Sequence, residues 1–97
     1  MTVRIDHDLC VLSQLIQEDR YGYQLTERLS EEMEITAGTL YLVLKRLKDN
    51  GYVETYLVES TGGPARKYYH LTDEGKEYQK LQKQQWLSFV EKVGNLL

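Results

Sequence analysis

The sequence predicts a mainly α-helical domain that carries one small β-hairpin, an α+β fold. Two observations lead to this prediction: apolar residues recur at helical spacing in four segments, and two short stretches rich in β-branched and aromatic residues flank a glycine-rich one. The chain has 97 residues, of which 41% are hydrophobic and 28% are charged, as expected of one small domain. Because a chain of this size buries only roughly 60–65% of its unfolded surface, a dimer interface would help to stabilise it.

The first two helices are predicted from apolar residues spaced three and four apart. The first helix covers residues 8–17, with Asp6 or Asp8 as its N-cap. Asp19-Arg20 breaks the pattern, and the second helix follows over about residues 21–33. Leu9, Leu12 and Ile16 recur at helical spacing in the first helix. In the second helix, Tyr21, Leu25 and Leu29 lie four residues apart on the inner face.

A third helix is predicted between two clear end signals. Thr36 is a good N-cap, and Gly51 can adopt the left-handed conformation that closes a helix. Between them, Leu40, Leu44 and Leu47 form a narrow apolar stripe. The opposite side of this helix is therefore expected to face outward.

Two strands are predicted next, over residues 52–58 and 66–71. The segment 59–65 between them contains Gly62-Gly63-Pro64, the strongest turn signal in the chain. This segment is expected to form a loop too long for a tight hairpin. A strand, a glycine-rich tip and a second strand together predict a wing.

A fourth helix is predicted to begin at Thr72 and can reach Leu97, with acidic residues at the positive end of its dipole. Its later apolar residues repeat at a 3-4-3 spacing that resembles a coiled-coil seam, for which a partner chain is the expected cover. These residues are Trp86, Phe89, Val93 and Leu96. The order of elements predicts a winged helix-turn-helix domain over residues 1–71 and a C-terminal dimerisation helix over residues 72–97.

The charge of the chain is unevenly distributed. Twelve Lys and Arg against fifteen Asp and Glu give a net charge of −3, and the isoelectric point is near 5.3. This balance argues weakly against nucleic-acid binding, since many nucleic-acid-binding domains have an isoelectric point above about 9. The acidic excess lies in residues 1–34, whereas residues 35–70 are mildly basic, and docking depends on the local field.

Six segments of the sequence closely resemble the PadR family of bacterial winged-helix transcriptional regulators. The segments are Tyr21-Gly22-Tyr23-Gln24-Leu25, Gly38-Thr39-Leu40-Tyr41, Leu44-Lys45-Arg46-Leu47, Gly51-Tyr52-Val53, Gly62-Gly63-Pro64-Ala65-Arg66-Lys67-Tyr68-Tyr69 and Leu71-Thr72-Asp73-Glu74-Gly75. The single terminal helix is similar to that of the smaller subfamily. Ala37 and Leu42 stand where many members have proline, and both are compatible with a helix. The resemblance implies a homodimeric DNA-binding regulator, most simply a repressor, that binds a pseudo-palindromic operator.

The outward face of the third helix is predicted to enter the major groove, and the wing cations are predicted to contact phosphates or the minor groove. Leu42, if exposed, can touch a thymine methyl group. Tyr68 and Tyr69 point to opposite faces of their strand, so one is expected in the core and the other near the nucleic acid. The predicted DNA-contacting residues are Tyr23, Thr36, Thr39, Tyr41, Lys45, Arg46, Arg66, Lys67 and Tyr69. The alternative for the cations is that they are solvated surface charges. For Tyr23, the resemblance suggests a contact with the DNA backbone, and the alternative is a packing role.

An effector site is predicted in the dimer interface, around Trp86 and Phe89. Aromatic faces bind planar apolar or cationic compounds by stacking and cation–π contact. The resemblance supports this prediction, because some members of the smaller subfamily bind planar drugs at this interface. The alternative is that Trp86 only fills the interface.

Other chemistry is not predicted. The sequence contains no phosphate-binding loop, nucleophile motif or metal-ligand spacing, so no enzyme activity, cofactor or metal is expected. The lone Cys10 fits a reducing compartment, and there is neither a signal segment nor an apolar run of about 20 residues. A cytoplasmic protein without a membrane partner is expected. The alternative function is a winged-helix protein-interaction module without DNA binding, which the net charge favours modestly.

Overall fold

The computed structural model describes residues 7–97, which form four helices and a three-stranded antiparallel sheet. In chain order the elements are α1 (His7–Leu15), β1 (Arg20–Tyr21), α2 (Gly22–Glu32), α3 (Ala37–Asp49), β2 (Val53–Ser60), β3 (Gly63–Leu71) and α4 (Asp73–Leu96). The sheet order is β1-β3-β2. This confirms the predicted α+β arrangement of a winged helix with a long terminal helix.

The core lies between α1, α2, α3 and the base of the wing. Leu40, Leu44 and Leu47 are at most 1% exposed, as the apolar stripe of α3 predicts, and Val43 widens that stripe. Burial of each such side chain stabilises the fold by about 1.5–3 kcal/mol. The remaining core residues are Val11, Leu12, Leu15, Leu25, Leu29, Ile35, Val53, Tyr69 and Leu71.

The ends of α3 follow the predicted signals, and α4 begins at Asp73, one residue after the predicted Thr72, which is its N-cap. The Thr36 hydroxyl accepts a hydrogen bond from the Thr39 amide at 3.1 Å, and Gly51 closes α3 with a φ of 81°. The Thr72 hydroxyl accepts from the Gly75 amide at 3.0 Å and caps α4. Each cap pairs an amide that would otherwise lack an intrahelical partner.

The start of the chain differs from the sequence prediction. Asp8 lies inside the first turn of α1 and is therefore not its N-cap, and Asp6, the other candidate, lies outside the described residues. The helix ends at Leu15, two residues earlier than predicted. The sequence predicted only a break at Asp19-Arg20, but the structure has the strand β1 there, in which Arg20 pairs with Tyr69 of β3. A two-residue strand has no periodicity, so only its distant partner defines it.

The wing is tighter than predicted. The strands β2 and β3 extend to Ser60 and Gly63, which pair directly, so the turn consists of residues 61–62 rather than 59–65. Gly62 has a φ of 78°, which other residues rarely adopt. The register shifts near Glu59, which marks a bulge. Between the pairs Val58–Arg66 and Ser60–Gly63, β2 contributes one residue and β3 contributes two. The bulge accommodates Pro64 inside a strand, where the sequence suggested only a loop.

Only the first half of α4 packs against the domain. The ring of Tyr78 stacks on Tyr52 with centroids 4.1 Å apart, and the Gln79 side-chain amide donates to Ser13 at 3.2 Å. Beyond Leu81 almost every residue of α4 is exposed, which gives the described chain a long dimension of 55 Å against 28 and 21 Å. The helix therefore projects from the domain as an arm with uncovered apolar side chains.

Candidate nucleic-acid interface

The outer face of α3 is exposed as predicted. Leu42 is 70% exposed and Tyr41 is 49% exposed, and Lys45 and Arg46 follow one turn later on the same side. Thr39 is half-buried, and its hydroxyl accepts a hydrogen bond from the Thr36 hydroxyl at 3.0 Å. This face is apolar at its centre and polar at both ends.

Both cations on this face have carboxylate partners. Lys45 Nζ lies 3.0 Å from Asp49 Oδ2, one turn further along α3. The Arg46 guanidinium forms a close ion pair with Asp8, which joins α3 to α1. The Lys45–Asp49 pair is exposed on both sides and contributes about 0–1 kcal/mol, so a phosphate can replace that carboxylate at little cost, whereas Asp8 is only 15% exposed. The sequence alone did not indicate the partner of Arg46, because Asp8 lies in a distant segment.

The wing cations lack such partners. The guanidinium carbon of Arg66 lies 4.7 Å from the centre of the Tyr21 ring, a cation–π contact. Within residues 7–97, no carboxylate lies within 4.0 Å of the side-chain nitrogens of Arg66 or Lys67. The part of the wing beside Tyr21 that holds Arg66 and Lys67, called the wing base below, thus carries positive charge that the described part of the chain does not neutralise.

A cavity of about 330 Å³ lies where α2, α3 and the wing meet. Its lining contains five of the nine predicted DNA-contacting residues. The lining residues are Tyr21, Gly22, Tyr23, Tyr41, Arg66, Lys67 and Tyr69. The other four predicted residues lie outside the cavity, Thr36 as the N-cap of α3 and Thr39, Lys45 and Arg46 on the helix itself. Phenol, guanidinium and ammonium groups all donate hydrogen bonds, so the cavity suits a phosphate oxygen.

Gly22 allows Tyr41 to occupy its place in the cavity. A Cβ atom at position 22 would lie 2.8 Å from the Tyr41 hydroxyl oxygen and 3.1 Å from Cε1. The aromatic ring therefore rests directly on the first residue of α2. This role of Gly22 is not predicted from the sequence, although a glycine between two tyrosines at the start of a helix is a signal of close approach.

Tyr69 and Tyr68 occupy different environments. Tyr69 is 7% exposed and belongs to the core, and only part of its ring reaches the cavity. Burial, together with the nearby Tyr41, raises the pKa of the Tyr69 hydroxyl. Tyr68 lies on the other sheet face, with its ring centroid 5.5 Å from Tyr21 and 5.6 Å from Tyr56. Contact of Tyr69 with DNA stays a prediction.

A hydrogen-bonded cluster fixes the wing to the connection between α1 and β1. The Tyr56 hydroxyl donates to Asp19 Oδ2 at 2.6 Å, and His70 Nδ1 lies 2.8 Å from Asp19 Oδ1. Burial alone would raise the pKa of Asp19, but the hydrogen bonds from Tyr56 and His70 and the charge of His70 together lower it. The hydrogen bond to Asp19 raises the pKa of Tyr56 to about 12. No local pattern in the sequence indicates this cluster, because its members come from three separate segments.

A second depression, of about 340 Å³, lies along the exposed half of α4. It is lined by Leu81, Gln84, Gln85, Ser88, Phe89 and Lys92. Of the two predicted effector residues, Phe89 lines this groove, whereas Trp86 contacts Phe89 with ring centroids 6.1 Å apart and lies outside the lining. Trp86 is 51% exposed and Phe89 is 42% exposed.

Residues 7–97 contain neither a metal-binding cluster nor a membrane-spanning helix. No group of three or more His, Cys, Asp or Glu side chains in that range could hold a metal ion. None of the helices in the same range combines the length and apolarity needed to cross a membrane.

Comparison with known proteins gives a consistent result. Residues 11–87 match the sequence profile of the Transcriptional regulator PadR-like family. The chain is 38% identical to a PadR family transcription regulator from Clostridium difficile R20291, with a TM-score of 0.80 over 91% of this chain and 93% of that chain. It is 36% identical to a PadR-like regulator from Bacillus cereus, with a TM-score of 0.84 over 93% and 89% of the two chains. Bacillus subtilis PadR, solved in complex with operator DNA, shares the fold at 23% identity, with a TM-score of 0.71 over 84% of this chain and 46% of that chain.

Proposed function

Because the chain belongs to the PadR-like family of transcriptional regulators, whose members are not enzymes, we propose that it regulates transcription by binding double-stranded operator DNA as a homodimer. In this proposal residues 1–71 form the DNA-binding domain and residues 72–97 form the dimerisation helix. The operator complex of Bacillus subtilis PadR supports a DNA partner for this fold. The proposed action is repression, in which the bound dimer occupies DNA that the transcription machinery needs.

One observation carries the proposal of DNA binding. The cavity beside α3 is lined by hydrogen-bond donors of four tyrosines and two cations, and within residues 7–97 no carboxylate pairs with those cations. The exposed face of α3 lies next to this cavity. A duplex that receives α3 in its major groove would bring a backbone phosphate to the wing base. The cavity thus supplies backbone contacts and α3 supplies base contacts.

The uncovered face of α4 supports the homodimer. Its large apolar side chains are 42–54% exposed between Leu81 and Val90, and Leu96 is 86% exposed. A second copy of the same helix would bury this series in an isologous interface. Two copies would then present two α3 helices to successive major grooves, with half-sites about 34 Å apart.

Binding of a planar aromatic effector is proposed for the α4 groove of the dimer. Phe89 lines the groove and Trp86 contacts its ring, so a compound stacked there would change the environment of the indole. Trp86 is the single tryptophan of the chain, and its fluorescence therefore reports on this site. Titration with planar cationic dyes should quench the emission, and unchanged emission at saturating dye contradicts the effector proposal.

DNA binding is tested by selecting duplexes from a random library with the purified chain and measuring their affinity by fluorescence anisotropy at several salt concentrations. Lys45→Ala with Arg66→Ala should weaken binding and reduce the salt slope by about 0.9 for each phosphate that is no longer neutralised. Lys76→Ala with Lys80→Ala removes two exposed cations from α4 and is the matched control, which should leave the slope unchanged.

Two results of this experiment contradict the proposal. If the two double variants lower the salt slope equally, the interface is wrongly placed. If no duplex is selected and the chain passes through heparin at low salt, the protein-interaction module without DNA binding is the better explanation. The pairing of Lys45 and Arg46 with carboxylates is the observation that favours this second function.

The dimer is tested separately by sedimentation at micromolar concentration. The wild-type chain should sediment at twice its mass of 11.4 kDa. Phe89→Asp places a charge in the apolar series and should shift the species towards the monomer, whereas Lys83→Asp, at an exposed polar position of the same helix, should not. A wild-type chain that remains monomeric contradicts the homodimer.

A further inference from the structure

Leu42 is an exposed apolar side chain at the centre of an otherwise polar surface. The other leucines of α3 and Val43 are buried, yet Leu42 is 70% exposed. An apolar side chain of this size gains nothing from contact with water. Its side chain therefore adds little to the stability of the isolated chain and is free to contact a partner.

The neighbours of Leu42 leave it uncovered. Lys45 pairs with Asp49 and Arg46 pairs with Asp8, and neither long side chain covers the leucine, which stays 70% exposed. One turn earlier, Gly38 has no side chain, and the nearest atom to a Cβ built there would be the Thr36 hydroxyl at 4.0 Å. Leu42 is therefore a small apolar protrusion beside the open space at Gly38, and its neighbours can donate hydrogen bonds to DNA.

We propose that Leu42 is a base-specificity residue that contacts the C5-methyl group of a thymine in the major groove. This inference rests on the proposed DNA-binding function. The thymine methyl group is the apolar feature that base edges present in that groove. A leucine side chain can pack against this methyl group through an apolar contact. Cytosine, the other pyrimidine, presents an amino donor that Leu42 cannot accept from, so the contact discriminates thymine from cytosine.

A major-groove base fits this surface better than a protein partner does. A protein interface needs a contiguous apolar core, and here only Leu42 and the half-exposed Tyr41 stand between a glycine, a threonine and two cations. The adjacent cavity at the wing base is lined by donors suited to phosphate. A duplex offers both features at once, a methyl group in the groove and phosphates on its rim.

The test uses duplexes selected from a random library, in which each thymine is replaced in turn by deoxyuridine. This change removes the methyl group and keeps the base pair. For one thymine in the half-site, wild-type affinity should fall about fourfold, the equivalent of the ~0.8 kcal/mol of one buried methyl group. With Leu42→Ala the same replacement should have no effect, and Leu42→Met should restore part of it.

Two controls keep the result interpretable. Leu42→Ala should retain the thermal midpoint of the wild type, because the residue is exposed and alanine favours a helix. Ile16→Ala truncates a 42% exposed side chain at the end of α1 and should leave the deoxyuridine effect intact.

The outcomes separate this inference from the proposed function. If duplexes are selected but no deoxyuridine replacement affects wild-type and Leu42→Ala proteins differently, the thymine contact is wrong and DNA binding stands. If the same replacement weakens both proteins equally, another residue reads that methyl group. If no duplex is selected, the proposed function fails and this inference fails with it.

Discussion

Replacement of Gly75 by alanine should disrupt the docking of α4 on the domain. A Cβ at this position would lie 2.0 Å from the Tyr52 carbonyl oxygen and 2.7 Å from Leu71 Cδ1. Because the first clash is with backbone, the start of α4 must move away. That movement would strain the hydrogen bond from the Thr72 amide to the Tyr52 carbonyl, which is 3.1 Å long, and the stacking of Tyr78 on Tyr52.

The expected loss of stability follows from these contacts. Overpacking of a tight site costs about 1–3 kcal/mol, and loss of one hydrogen bond adds about 0.5–1.5 kcal/mol. We therefore expect Gly75→Ala to lower the free energy of unfolding by about 3 kcal/mol. For a chain of this size each kcal/mol corresponds to roughly 4–8 °C in Tm, so the midpoint should fall by roughly 12–24 °C.

Thermal and urea unfolding followed by far-UV circular dichroism measure this change, at one fixed protein concentration because the proposed dimerisation would shift the midpoint. Gly94→Ala is the matched control on the same helix, since no atom lies within 4 Å of a Cβ built there. It should be neutral or stabilising by up to about 1 kcal/mol. A Gly75→Ala protein within about 0.5 kcal/mol of the wild type would refute the close approach of α4 to Tyr52.

Two further predictions concern the wing base and its support. Gly22→Ala should displace the Tyr41 hydroxyl, because the new Cβ would lie 2.8 Å from it. We expect DNA binding to weaken roughly tenfold, whereas the free energy of unfolding should change by less than about 1 kcal/mol. Unchanged affinity in anisotropy titrations contradicts the role of Tyr41. Tyr56→Phe should lower urea midpoints most between about pH 5 and pH 9. The lowered pKa of Asp19 adds stability that is present above the unfolded value of about 3.8 and is lost as the pH falls through the folded pKa. The raised pKa of Tyr56 adds stability that is lost as the pH rises from 10 towards about 12. A difference between the two proteins that does not shrink at either end contradicts the hydrogen bond.

The sequence predicted the elements whose signals are local. Thr36 and Thr72 cap their helices because a hydroxyl reaches an amide three residues on, and the α3 stripe is buried because its leucines share one face. The 3-4-3 series of α4 likewise predicted an apolar series that the described domain leaves exposed around Trp86 and Phe89. Each of these features depends on residues within one or two helical turns.

The elements that the sequence missed depend on distant partners. The strand β1 exists because Arg20 and Tyr21 pair with β3, about fifty residues away along the chain. The tight turn of the wing requires a bulge opposite Glu59, and no residue of the segment 59–65 indicates the register in which β2 and β3 pair. Such features follow from the pairing of distant strands, and the periodicity of the sequence does not indicate which strands pair or in which register.

The candidate site was predicted by residue type better than by arrangement. Tyr23, Tyr41, Arg66 and Lys67 meet at one cavity, but the sequence did not indicate that Gly22 makes room for Tyr41. Nor did it show that the α3 cations are paired while the wing cations are not. The Lys45–Asp49 pair is local to α3, whereas the Arg46–Asp8 pair and the contact of Gly22 with Tyr41 arise from packing of α3 against α1 and α2.

Chemical footprinting of a selected duplex shows whether two α3 helices enter the DNA together. Methylation of guanine N7 reports on major-groove contact, and a dimer of this chain should protect two segments on one face of the DNA, separated by about one helical turn of 10–10.5 base pairs. Protection of a single segment, or binding that leaves every major-groove position reactive, would contradict a dimer that inserts two α3 helices into successive grooves.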